Sequence, residues 1–317
     1  MTEMNKQILS LICLFIGSTI FPQAQNFSAT EITVNRYVDG TLLIPENLEN
    51  PPLVILIAGS GPTDRDGNQS FMKNDMLKKL AEELTKNGIA TFRYDKRVVK
   101  QLKTRTFDKN IRFDDFVDDA KSVVTYFKPS YSSIIIAGHS QGSLVGLLAA
   151  EAEVDGFISL AGAGNPIDQI ILEQITKTAP FFTENTKRVL EVLKNGNTTT
   201  DFPPALASMF NLDIQPFMSN WMQYNPHELI ENLEIPVLLI NGTKDLQVST
   251  KEAQLLKEHK TDAELVIIEN MNHLLFEING DDLVNTKSYN ELQHQIVPEV
   301  ITSIVRFIKK DKSTIEE

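Results

Sequence analysis

The 317-residue chain contains one cysteine, Cys13. That excludes a disulfide framework and a cysteine-rich zinc site. Positive charge is also scarce: 30 Lys and Arg stand against 42 Asp and Glu, giving a net charge of −12, and no basic stripe reverses the sign locally. A chain of that sign repels a phosphate backbone, so no nucleic-acid partner is expected. Long apolar runs are absent too. The most apolar stretch, Ile8 to Phe21, falls short of the about 20 residues that a membrane span requires. With 42% apolar and 23% charged residues, the chain has the balance of a soluble globular protein and not of a disordered, collagenous or coiled-coil one.

What the N-terminus does have is an order of parts. Lys6 precedes the apolar stretch, and Pro22-Gln23-Ala24-Gln25 follows it. A positive start, a short hydrophobic run and a small residue at a polar exit form the pattern of a secretory signal. Residues 1–25 are therefore expected to be a signal peptide, cleaved near Ala24 or Gln25, and the protein to be exported to the periplasm or beyond. Leu11 and Ile12 lack the small side chain that precedes a lipid-attachment cysteine. Cleavage would leave a mature chain without cysteine and without a stable membrane span, suited to an oxidising compartment and incapable of thiol catalysis.

From Ile32 to Ile44 apolar and polar residues alternate around Asp39-Gly40, which predicts a hairpin turning there. Leu53-Val54-Ile55-Leu56-Ile57 is continuously apolar, as a strand covered on both faces must be. Ile89 to Tyr94, Ile134 to Ala137, Phe157 to Ala161, Val237 to Ile240 and Leu265 to Ile268 share that character. Helical patterns separate them, including Met72 to Lys86, stopped by Asn87-Gly88, and Phe113 to Phe127. Strand alternating with helix predicts a mostly parallel central sheet flanked by helices. From about 164 to 234 the rhythm breaks into amphipathic helical stretches and an aromatic-rich segment, a predicted helical cap insertion. Residues 26–317 are otherwise expected to form one domain.

Gly138-His139-Ser140-Gln141-Gly142 follows the strand Ile134 to Ala137 and opens a helix. Gly-x-Ser-x-Gly at such a junction is the signature of a nucleophile elbow, in which a tight turn raises the serine hydroxyl above the strand ends. The adjoining helix N-terminus offers amides to developing negative charge. A serine nucleophile needs a base, and there are five histidines. His139 belongs to the turn itself, His259 lies between charges, His294 is expected in the polar start of the last helix, and His227 opens a helix of the insertion. His273 stands in a short loop just beyond the strand Leu265 to Ile268, where it can lean over the serine. In the chain order of this architecture the orienting acid comes between serine and histidine. Asp245, in the loop after the strand Val237 to Ile240, fits that place better than Asp213 or Asp262. The oxyanion hole is expected from the backbone N–H groups of Ser60 and Gln141. Ser60 belongs to Ala58-Gly59-Ser60-Gly61-Pro62, the loop after the first inner strand, and Gly61 is the alternative donor.

With these parts in place the chain, from about residue 50 to 310, resembles the α/β-hydrolase superfamily. The stretch Gly59-Ser60-Gly61-Pro62-Thr63-Asp64-Arg65-Asp66-Gly67-Asn68 is similar to a bacterial carboxylesterase subgroup described as serine aminopeptidase-like hydrolases. Arg93-Tyr94-Asp95-Lys96-Arg97 and Leu160-Ala161-Gly162-Ala163-Gly164 add to that similarity. The resemblance implies an α/β-hydrolase fold, cleavage of short-chain carboxylic esters, and no cofactor or metal. The charges of Asp64, Arg65 and Asp66 are expected to form an ion-pair network that fixes the oxyanion loop.

The expected protein is thus an exported serine ester hydrolase acting on short- to medium-chain esters through Ser140, His273 and Asp245. Two alternatives share the fold. An aminopeptidase-like amide hydrolase would need a carboxylate to grip a free amine, for which Glu173, Glu184 and Glu191 are candidates. A non-catalytic binding protein would show a damaged triad.

Overall fold

The computed structural model describes residues 26–46, 48–106, 108–151 and 153–313, with side chains through Lys310. The predicted signal segment, with Cys13, lies outside the described residues.

The chain begins with a hairpin. Strands β1 (Phe27–Thr33) and β2 (Asp39–Pro45) pair antiparallel, Thr33 facing Asp39 and Phe27 facing Pro45. The turn is not at Asp39-Gly40, as the sequence pattern predicted. It lies between Val34 and Val38, closed by the Val34 N–H donating to the Val38 carbonyl at 2.9 Å. Asn35 Oδ1 accepts from the N–H groups of Tyr37 and Val38 and shapes the turn. Gly40 serves packing instead: a Cβ there would come within 2.3 Å of the Phe92 ring and 2.7 Å of the Arg93 carbonyl.

There follow β3 (Leu53–Ile57), α1 (Met76–Lys86), β4 (Ala90–Tyr94), α2 (Arg97–Thr104), α3 (Asp114–Phe127), β5 (Ile134–His139), α4 (Gln141–Ala149) and β6 (Gly156–Leu160). Five helices come next: α5 (Ile167–Thr178), α6 (Thr183–Lys194), α7 (Ala207–Phe210), α8 (Gln215–Trp221) and α9 (Pro226–Glu231). The chain closes with β7 (Val237–Gly242), α10 (Thr250–His259), β8 (Glu264–Ile268), α11 (Asp282–Ser288) and α12 (Pro298–Ser313).

The eight strands form one sheet in the order β1-β2-β4-β3-β5-β6-β7-β8. β2 meets β4 antiparallel, and every pair from β4 to β8 is parallel. Because β4 and β5 flank β3 on opposite sides, the strand order reverses between β3 and β5. In parallel sheets a crevice opens outside the carboxyl ends at such a reversal. Register keeps these ends level, with Ile57 opposite Gly138, His139 opposite Leu160 and Gly242 opposite Ile268.

Strand side chains alternate between two cores. Leu53, Ile55, Ile57, Ile134 and Ile136 pack on one face with α3 and α4, and Val54, Leu56, Ile135 and Ala137 on the other with α1 and α12. Helix α4 is buried along its whole length, consistent with its Leu/Val/Ala composition. Helix α1 starts later than its apolar pattern predicted, at Met76 and not Met72. Its first amides are satisfied by the preceding loop: Met76 N–H donates to Asn74 Oδ1, and Leu77 and Lys78 N–H donate to the Asp66 carbonyl.

Helices α5 to α9 occupy the interval between β6 and β7. Their aromatic residues are tied to the body of the domain through Phe113 at the head of α3. Its ring stacks on Trp221 with centroids 5.3 Å apart and planes 8° apart, while Phe217 and Tyr224 flank it.

Candidate active site

The loops after β3, β5, β7 and β8 all emerge at the same edge of the sheet. The one after β5 is the tightest. Ser140 has φ 53° and ψ −119°, a backbone conformation that a side chain normally avoids. Its neighbours must be glycine for lack of space: a Cβ on Gly138 would lie 2.0 Å from the Gly142 carbonyl oxygen, and one on Gly142 would lie 2.4 Å from that of Ile57. Strain held by such close packing turns Ser140 out of the sheet. Its own N–H is still fixed, donating to the Leu160 carbonyl at 2.9 Å.

His273 and Asp245 meet across the edge. His273 Nδ1 donates to Asp245 Oδ2 at 2.7 Å, with the imidazole 3% and the carboxylate 0% exposed. Asp245 Oδ1 accepts from the Gln247 and Val248 N–H groups at 2.8 and 2.9 Å. Both carboxylate oxygens are therefore committed, which fixes the plane of the acid. Since a carboxylate only accepts here, Nδ1 carries the proton and Nε2 is left as the basic nitrogen. Ser140, His273 and Ser60 line one cavity of about 140 Å³.

His139 lies beneath this pair. Its Nε2 donates to the backbone carbonyl of His273 at 2.8 Å. Burial, reinforced by the neighbouring His273 ring, pushes its pKa down to about 3, so it is a neutral imidazole.

Neither the Ser60 nor the Gln141 N–H has a hydrogen-bond acceptor among the described residues. Ser60 is exposed, as are Gly61 and Pro62 after it, and Gln141 is the first of α4, where helix amides lack partners by construction. Both residues also border a second, larger cavity of about 260 Å³ that meets Ser140 from the side of α5 to α9. Leu144, Ile170, Ile171, Met209, Met218 and Trp221 give it an apolar lining. Among the described residues no aspartate or glutamate lines either cavity; Glu173 and Glu191 border other surface grooves.

The charges of the first motif face away from the cavities. Arg65 grips Asp95 through its guanidinium at 3.0 Å and its N–H at 2.9 Å, and pairs with Glu31 of β1. Arg93 Nε donates to Asp66 at 2.9 Å, and Asp64 Oδ1 accepts from the Asp66 and Asn68 N–H groups. Burial acts to raise the Asp95 pKa, but the hydrogen bonds from Arg65 and Lys103 outweigh it and hold the carboxyl below its ordinary value. Arg65 and Asp66 thus bind the loop to β1, β2 and β4, while Asp64 braces the loop from within.

A serine on a strained strand-to-helix turn, with an acid–imidazole pair beyond later strands of the same parallel sheet, defines the α/β-hydrolase architecture. Comparison with known proteins agrees. The family model described as "Serine aminopeptidase, S33" matches residues 73–206. Esterase EstD of Thermotoga maritima is 27% identical over 300 residues, covering 90% of this chain and 68% of that protein. Est1E from Butyrivibrio proteoclasticus superimposes with a TM-score of 0.56 at 19% identity, over 89% of this chain and 99% of that one. The Pyrococcus furiosus esterase Pf2001 gives 0.53 at 16%, over 90% and 91%. The chain has the α/β-hydrolase fold, and its sequence is similar to esterases and serine aminopeptidase-like hydrolases that share it.

Proposed function

We propose that the protein is an exported serine ester hydrolase that cleaves short- to medium-chain carboxylic esters through an acyl-enzyme on Ser140. The observation that carries the reading is the buried Asp245–His273 hydrogen bond beside a cavity that His273 shares with Ser140 and Ser60.

His273 Nε2 takes the hydroxyl proton as Ser140 Oγ attacks the ester carbonyl. The tetrahedral oxyanion is held by the Ser60 and Gln141 N–H groups, and collapse expels the alcohol, which receives the proton from His273. Water, deprotonated by the same imidazole, then releases the acid and restores Ser140. Asp245 keeps His273 in the tautomer this needs and stabilises the imidazolium between the two half-steps.

The apolar cavity favours an acyl chain, and its size favours a short or medium one. The absence of a lining carboxylate among the described residues favours esters over substrates with a free amine. Export rests on the order of Lys6, the apolar stretch and Ala24; among the described residues no helix is long and apolar enough to cross a membrane.

The test is turnover of p-nitrophenyl acetate and butyrate by the purified protein, with fluorophosphonate labelling mapped by mass spectrometry. Labelling at Ser140 with turnover lost in Ser140→Ala is expected. Turnover that survives Ser140→Ala would refute the assignment.

A further inference from the structure

Behind the oxyanion loop sits a buried cation to which the mechanism above gives no task. Lys96 lies between β4 and α2 and is 6% exposed. Its Nζ donates to the Gly59 carbonyl at 2.9 Å and to Gln141 Oε1 at 2.6 Å, and lies 4.5 Å from the centroid of the Phe116 ring. Among the described residues no carboxylate forms an ion pair with it; the neighbouring Asp95 and Arg97 turn to other partners, Arg65 and Asp119. Burying an ammonium without a counter-charge is costly, and it is seldom kept for stability alone.

Its two partners are the two halves of the anion-binding site. Gly59 and Ser60 share a peptide group, and none of the described peptide bonds is cis. In a trans peptide the C=O and N–H point to opposite sides. Lys96 draws the Gly59 oxygen inward, and the Ser60 N–H is thereby turned away from Lys96, toward the cavity that Ser60 shares with Ser140. The second partner is the buried side chain of Gln141, whose backbone N–H is the other donor. The far side of the loop is fixed independently, the Ser60 carbonyl accepting from Thr63 Oγ1 at 2.8 Å and Gln69 Nε2 at 3.0 Å.

We propose that Lys96 is a positioning residue that aligns the Ser60 and Gln141 amides and polarises the Gly59–Ser60 peptide, strengthening its N–H as a donor to the oxyanion. The proposal rests on the ester-hydrolase reading. Lys96 itself does not touch substrate. An ammonium has three N–H bonds and a neutral amine two, so the clamp on its two acceptors persists in either form, and the charge adds the field.

Lys96→Met keeps the apolar stem and removes both donors. With sites counted by fluorophosphonate titration, kcat per site on p-nitrophenyl butyrate is expected to fall about ten- to hundredfold, less than the loss of a direct oxyanion donor. KM should stay within about threefold. Affinity for an alkyl trifluoromethyl ketone, whose serine adduct bears the same oxyanion, should fall by the factor seen in kcat/KM, and inhibition by butanol should be unchanged. Lys96→Arg, which keeps donors and charge, should recover part of kcat. If Lys96→Met does not fold, Gln141→Met, which breaks one arm of the clamp and keeps the backbone donor, should show the same pattern at smaller amplitude. Unchanged kcat per titrated site, or equal losses of ketone and butanol affinity, would overturn the proposal while the ester-hydrolase reading stands. Wild-type protein that neither turns over esters nor labels at Ser140 would overturn that reading and this one with it.

Discussion

His139, the residue before Ser140, donates from Nε2 to the backbone carbonyl of His273, and the two imidazole rings lie 4.8 Å apart. The elbow therefore fixes the position of the loop that carries the proposed base. It also leaves a neutral histidine in the core, because burial lowers the His139 pKa from 6.5 to about 3.

That shift has a sign. Between pH 6.5 and about 3 the unfolded chain binds a proton at His139 and the folded protein does not, so stability is retained above pH 6.5 and lost as pH falls through this window. The loss is up to about 1.4 kcal/mol per pH unit from this one group. Asp64 and Asp119, whose carboxyls are raised chiefly by burial, act in the opposite sense at the acid end. The comparison is therefore with a variant. His139→Gln, which keeps an N–H donor without a titrating ring, is expected to flatten the decline of Tm between pH 6.5 and 4.

Ser140 trades stability for position. A non-glycine residue at φ 53°, ψ −119° carries about 1–3 kcal/mol of backbone strain. Ser140→Gly is expected to relieve part of it and raise Tm by about 2 °C or more, while ester turnover falls by about 10⁶ if the triad acts as a unit, as in subtilisin. A melting curve and a rate assay on the same sample check both halves. A lower Tm would mean that the elbow is not strained.

Asp245 is held by three hydrogen bonds, two from backbone N–H groups and one from His273. In Asp245→Asn the amide must present an NH₂ group either to those N–H donors or to Nδ1. The latter forces His273 into the tautomer with its proton on Nε2, where it cannot accept from Ser140. A drop in kcat of about 10⁴ is expected, as in the serine-protease counterpart, with KM little changed. Titrating the His273 ring protons by NMR would show the altered tautomer directly.

The six strands β3 to β8 and the four loop positions are legible because continuous apolar runs admit few alternatives and each candidate side chain stands just beyond one of them; β1, largely upstream of the alternating stretch, is not. Ser140 was marked by its glycines, and Asp245 and His273 by chain order. The hairpin turn was misplaced because Asp39-Gly40 carries a strong turn signal for an unrelated reason, the Phe92 ring packed over Gly40. The late start of α1 depends on Asn74 and the Asp66 carbonyl, contacts that apolar periodicity does not encode. The place of Lys96 is not legible, since a lysine in sequence carries no sign that its two acceptors belong to the oxyanion loop and the elbow. Burial and distance supply that.

Acyl preference should be adjustable from the cap side of the larger cavity without touching the chemistry. Met209 is half-buried and lines that cavity together with Met218 and Trp221, so shortening it opens space at less cost than emptying a fully packed core position. Met209→Ala is expected to raise kcat/KM for hexanoate relative to acetate, and Met209→Phe to lower it. Each change should be of order tenfold, the scale of one or two methylenes in an apolar pocket. A p-nitrophenyl ester series from acetate to octanoate measures both. Opposite shifts in the two variants, with acetate turnover held within about threefold, would locate the acyl chain beneath α5 to α9. No shift in either would assign the acyl chain to the smaller cavity beside His273 and the leaving alcohol to the larger one.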